Sequence, residues 1–167
     1  MFKGKNKISI AEEILIVNKW SGIIPENGKT KFFINNWITP FLTTIKIHSK
    51  EKIQKILLYT YWASSKNLQK MLLICKDLKV IGANNLLLAN RSKSEWIKNN
   101  VAIKLTDNHS KVVLIKTEKN WYVIAGSGNF RKNKNKLEHL TITNCKKLYQ
   151  KVENHFNNLY DGSSKGK

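Results

Sequence analysis

The side chains best suited to chemistry lie in the stretch 109–138. His109-Ser110-Lys111 leads into the run VVLIK, which reads as a strand. Alternate side chains of a strand share a face, so His109 and Lys111 point the same way, ahead of Val113 and Ile115. Two polar groups thus head an otherwise buried row. The next run, 121–125, leads into Gly126-Ser127-Gly128-Asn129. Glycines let backbone approach a ligand closely, and Ser127 and Asn129 supply hydrogen-bonding groups for an oxyanion. In the alternating run 137–142, Glu138 shares a face with Leu140 and Ile142, where an unpaired carboxylate is costly. An imidazole N–H is a natural partner, and Glu138 is expected to orient His109.

The elements that must position these groups are legible from periodicity. Ser9 and Glu12 have the spacing of a capping box and predict a helix through Ile14 and Val17. A loop with Gly22, Pro25 and Gly28 follows, then a short strand at 31–37 and a helix at 40–50. The run 55–62, KILLYTYW, is nearly all apolar, as a strand buried on both faces should be. Ser64 or Ser65 caps a helix with the stripe Leu68, Met71, Leu72, Cys75. Strands are predicted at 78–82, 101–105, 111–116, 121–125 and 137–143. Ser92 or Ser94 can cap a short helix around Trp96. Asn144 is expected to cap a last helix with Leu148, Val152, Phe156 and Leu159 on one face, followed by a polar tail at 161–167. Strands alternating with helices predict an α/β chain with a mixed sheet. No linker divides the 167 residues, so one domain is expected, residues 1–167.

Thirty basic residues against eleven acidic ones give a net charge of +19. Such a balance favours polyanionic partners, nucleic acid first and anionic membrane second. Only Arg91 and Arg131 are arginine, and asparagine is abundant, which is also what an AT-rich genome would encode. No run approaches 18 apolar residues, and the N-terminus lacks the apolar block of a signal peptide, so a cytoplasmic location without membrane contact is expected. Cys75 and Cys145 fit no zinc pattern and are expected to be small core residues, with no metal and no cofactor.

HSKVVLIK followed by GSGN resembles the phospholipase D-like phosphodiesterase superfamily, whose motif is His-x-Lys, four residues, Asp, then Gly-Ser/Gly-x-Asn. The sequence departs from it at Lys116, which stands at the aspartate position; Glu118 is off the spacing. That aspartate is held to be structural more than chemical. The resemblance is strong over 101–142, and 55–78 looks like the family's first βα unit, whereas 1–50 is poorly matched. The ending GSGNF…KLEHLTI also looks like small phage-encoded members. The resemblance implies a mixed sheet flanked by helices, one lobe per chain. It also implies metal-independent cleavage of DNA or RNA. His109 attacks phosphorus to give a phosphohistidine, a second histidine protonates the leaving oxygen, Lys111, Ser127, Gly128 and Asn129 hold the phosphate oxygens, and Glu138 fixes the imidazole tautomer.

The family needs two such sets per site. His48-Ser49-Lys50 repeats the tripeptide, but it lies only 61 residues before His109, near a predicted helix end, and the glycines are missing after it. The second set is therefore expected from a second chain, in a homodimer with two His109 facing across a two-fold axis. His139 and His155 are expected at the surface and as a partly exposed packing residue. Arg131, Lys132, Lys134 and Lys136 form either a solvated loop or a rim that grips a nucleic-acid backbone. The alternative function is a catalytically idle nucleic-acid-binding protein that keeps the phosphate pocket; a phospholipid hydrolase is disfavoured by the short chain.

Overall fold

The structure is a computed structural model that describes residues 8–35, 38–130 and 137–162. Its centre is a seven-stranded mixed sheet in the order β1-β7-β6-β5-β2-β3-β4. The strands are β1 (Thr30–Asn35), β2 (Ile53–Thr60), β3 (Leu78–Ala83), β4 (Ala102–Thr106), β5 (Val112–Thr117), β6 (Trp121–Gly126) and β7 (Glu138–Asn144). β2, β3 and β4 run parallel; every other neighbouring pair is antiparallel. Parallel neighbours need crossovers, and the helices supply them. α3 (Ser65–Ile74) joins β2 to β3, while α4 (Leu86–Ala89), a 3-10 turn at Arg91–Lys93 and α5 (Ser94–Asn100) join β3 to β4.

Strand alternation splits the core in two. On one face Ile56, Leu58, Val80, Val113, Ile115, Ile124, Leu140 and Ile142 pack under α1 (Ala11–Asn18), α2 (Pro40–His48), α3, α4 and α5. On the other, Leu57, Tyr59, Ile81, Leu114 and Val123 pack under α6 (Lys146–Asp161) through Tyr149 and Phe156. The doubly buried reading of β2 holds, with Ile56, Leu57, Leu58 and Tyr59 all buried. The poorly matched N-terminal part contributes to the same sheet and core through its described residues: β1 pairs with β7, and Val17, Phe41 and Ile45 are fully buried.

Several local expectations are corrected by tertiary packing. Ser9 Oγ accepts from the Ala11 N–H, and Ile10 takes the cap position without a side-chain bond, so the capping box does not form. Thr39 caps α2 by accepting from the Leu42 N–H, with Pro40 in the first turn, where its missing N–H costs nothing. Of the two serines at α3 it is Ser64 that accepts, from the Asn67 N–H. Neither Ser92 nor Ser94 caps α5. Asn144 does not cap α6: Cys145 holds that position, and the Asn144 amide is buried, donating to the Pro25 and Asn120 oxygens. On α6, Tyr149 replaces Leu148 on the buried face, and Leu148 is exposed. Cys75 is buried, as expected, whereas Cys145 is only half-buried, and both are free thiols.

Candidate active site

His109 sits in the β4–β5 connection, at the carboxyl ends of the parallel strands, where open α/β sheets bind ligands. The loop is pinned by Asn108, whose amide donates to the Ile81 carbonyl (3.1 Å) and accepts from the Ser110 N–H (2.9 Å). His109 itself is exposed, with its ring tilted against Tyr61 at 4.6 Å between centroids. Lys111 Nζ lies 3.4 Å from His109 Nδ1, donates to the His109 carbonyl (3.2 Å) and stands 5.7 Å over the Tyr61 ring. His109 and Lys111 do meet, but ahead of β5, which begins at Val112: the contact is made in the irregular β4–β5 connection and not by strand alternation. Tyr61 was not singled out by sequence. Its position just past the end of β2, beside the site, is the one cue available. Its hydroxyl accepts from the Asn85 amide.

The second group is built where β6 ends and β7 begins. The Gly126 N–H donates to the Lys111 carbonyl (3.2 Å), which ties the two groups together at one end of the sheet. Ser127 Oγ donates to the Glu138 carboxylate and accepts from the His139 N–H (3.1 Å); the Ser127 N–H donates to the His139 carbonyl (3.1 Å). The expected bond from Glu138 to the His109 ring is not formed. β6 lies between β7 and β5, so the carboxylate meets Ser127 first. Glu138 does lie on the predicted core side of β7, flanked by buried Leu140 and Ile142. The glycine at 126 serves the protein's own backbone: an added Cβ would run into the His139 carbonyl oxygen. Gly128 is buried, and Asn129 carries a buried amide oxygen that accepts from no described residue. The following residue, Phe130, is buried against Phe41 and accepts from the Asn67 amide, which anchors the segment to α3.

Beside His109 a cavity of about 340 Å³ opens toward α6, lined by Tyr59, Asn108, Ser110, Val112 and His155 among others. His155 is exposed and stacks on Tyr59, whose hydroxyl is pushed up to about 12 by burial. His139 is exposed and stacks on Phe32, as a surface residue should. Arg131, Lys132, Lys134 and Lys136 lie outside the described residues.

His48-Ser49-Lys50 is at the end of α2, and Lys50 borders Glu51 and Asn120 at the β5–β6 turn, the opposite end of the sheet from His109. It cannot complete this site within one chain. At that far end the turn is held by Glu51, whose carboxylate accepts from Thr117 Oγ1 (2.6 Å), Tyr122 OH (2.6 Å) and Asn120 Nδ2 (3.0 Å). Burial alone would raise the Glu51 pKa, but these hydrogen bonds and nearby Lys119 hold it below its ordinary value. A carboxylate therefore supports the end of β5 although the motif position carries Lys116. Among the described residues no three His, Cys, Asp or Glu side chains group closely enough to hold a metal ion, and no helix is long and apolar enough to cross a membrane.

No known family's profile matches the sequence, and no curated protein matches it. Solved structures do match. Nuc from Salmonella typhimurium, a phospholipase D family member, is 15% identical, with a TM-score of 0.57 over 80% of this chain and 95% of that one. NucT from Helicobacter pylori is 17% identical, with a TM-score of 0.55 over 80% and 96%. A polyphosphate kinase from Porphyromonas gingivalis is 14% identical, with a TM-score of 0.58 over 80% of this chain and 26% of the kinase. The fold is phospholipase D-like.

Proposed function

We propose that this chain, with its phospholipase D-like fold, forms one half of a metal-independent phosphodiesterase that cleaves DNA or RNA. The observation that carries the reading is the meeting of the His109–Lys111 pair with the Ser127–Glu138 pair at one sheet end, linked by the bond between Gly126 and Lys111. His109 attacks the phosphodiester phosphorus; the P–N bond forms as the P–O bond to the leaving nucleotide breaks. A protonated imidazole on the opposite side gives its proton to the departing oxygen. Water then attacks the phosphohistidine, passes its proton back to that second imidazole, and frees His109. Lys111, Ser127, Asn129 and the Gly128 backbone stabilise the non-bridging oxygens as charge develops. Glu138 acts here by fixing the Ser127 hydroxyl.

One chain offers one such set, because His48-Ser49-Lys50 lies at the far end of the sheet. The second imidazole is then His109 of an identical chain, and the working unit is a homodimer. The net charge of +19 favours a nucleic-acid substrate. Lys116, at the motif's aspartate position, favours a second reading: a catalytically idle nucleic-acid-binding protein that keeps the phosphate pocket.

The test is incubation with single- and double-stranded DNA and RNA in excess EDTA, beside sedimentation of the protein. Cleavage that survives EDTA, vanishes in His109→Ala and accompanies a dimer is expected. Cleavage that needs magnesium, or a monomer that turns over, would overturn the mechanism. Binding without cleavage would favour the second reading.

A further inference from the structure

The cavity beside His109 takes no part in the proposed phosphate chemistry. Its floor is the end of three neighbouring strands. The register sets Ile81 of β3, Tyr59 of β2 and Val112 of β5 side by side on the face that α6 covers. Its wall is α6, through Val152, His155 and Leu159, whose spacing of three and four residues puts them on one side of the helix. Its mouth is the β4–β5 connection that carries His109.

Two features decide what this space can take. The first is an unused hydroxyl. Tyr59 is 5% exposed, and its OH is buried with no hydrogen-bond partner among the described residues. Phe156, edge-on at 4.9 Å, and His155, stacked at 6.3 Å, hold the ring where it lines the cavity. A buried hydroxyl left unpaired is costly, and a polar ligand atom in the cavity would satisfy it. The nearby Asn108 amide is already spent on the Ile81 carbonyl and the Ser110 N–H. The second feature is charge. The chain carries thirty lysines and arginines, yet no described one lines this cavity, and its one carboxylate is Asp107. The space therefore suits not the phosphate of a nucleotide but its flat, uncharged base. At about 340 Å³ it lies at the low end of small-molecule sites, about 300–1,000 Å³, with room for one base and not for a base pair.

We propose that this cavity is a nucleobase subsite: it receives one unstacked base of the strand whose phosphate is held at His109, with the polar edge of the base against the Tyr59 hydroxyl. The inference rests on the nuclease reading for the nature of that strand. Bases taken out of a stack are held in this way, by apolar and aromatic walls and by hydrogen bonds to the base edge. A duplex would have to release a base to be engaged.

The experiment titrates the full-length protein, at constant ionic strength, with adenosine 5′-monophosphate in one arm and ribose 5-phosphate, which keeps the phosphate and lacks the base, in the other. Calorimetry gives the affinity, and the methyl NMR signals of Val112 and Val152 give the place. The adenosine ligand should bind at least about tenfold tighter and move both valine signals, and ribose 5-phosphate should move neither. Tyr59→Phe should weaken the adenosine ligand about threefold or more and leave ribose 5-phosphate unchanged. It should melt no lower than the parent, whose hydroxyl has no partner to lose. His155→Ala, at an exposed position, should weaken the adenosine ligand about threefold. Absent binding of the adenosine ligand, or equal binding of the two, would overturn the proposal, as would parent-like binding by both variants. The readout needs no cleavage. Base-dependent binding in a protein that cuts nothing leaves the subsite standing and defeats the nuclease reading; cleavage with equal binding of the two ligands does the reverse.

Discussion

Replacing Glu51 by Gln tests whether a carboxylate outside the motif supports the far end of β5. In the parent, Glu51 takes hydrogen bonds from Thr117 Oγ1 and Tyr122 OH at 2.6 Å each and from Asn120 Nδ2 at 3.0 Å. Glutamine keeps the shape but removes the charge and turns one acceptor into a donor facing other donors. Hydrogen bonds to a charged group contribute about 1.5–3 kcal/mol each. The Thr117 and Tyr122 hydroxyls can rotate and recover part of this, so a net loss of about 2–3 kcal/mol is expected at pH 7. For a chain of this size that lowers the melting temperature by roughly 4–12 °C, at 2–4 °C per kcal/mol. The pH dependence has a definite sign. The folded-state pKa of Glu51 lies below the ordinary 4.5, so its contribution is fully present above that value and lost as pH falls through the folded pKa. Melting curves from pH 7 to pH 3 should therefore show the parent and Glu51→Gln converging on the acid side. The reasoning fails if the variant melts with the parent at pH 7, or if the gap between them stays constant down to pH 3.

Two further outcomes follow from the site. Gly126→Ala puts a methyl against the His139 carbonyl oxygen, and the resulting shift of β6 from β7 should cost about 1–3 kcal/mol in chemical denaturation and move Ser127 off Glu138; a denaturation midpoint matching the parent would show that the strand end yields freely. Binding to duplex DNA should weaken steeply with salt, by about 0.9 in the logarithmic slope for each phosphate neutralised, and replacing Arg131, Lys132, Lys134 and Lys136 together should flatten it; an unchanged slope would mark that run as a solvated loop.

The strands and helices were legible in the sequence because they rest on periodicity along the chain. The apolar run at β2, the α3 stripe from Leu68 to Met71 and a serine cap at Ser64 or Ser65 depend on neighbours within a few residues, and the structure keeps them, with Ser64 as the cap. The pairing of His109 with Lys111 was expected from strand alternation, but β5 begins only at Val112, and the two side chains meet in the connection that precedes it. What needed the tertiary structure is everything set by which strands are neighbours. Alternation places Glu138 on the core side of β7, but only the order β7-β6-β5 puts Ser127, and not His109, within its reach. Asn144 carries the side chain of a helix cap and is instead drawn into a buried network with Pro25 and Asn120, because a buried amide must be satisfied wherever its partners lie. Glu51 has no local pattern that sets it apart from other surface charges. Its meaning comes from donors 66–71 residues away along the chain.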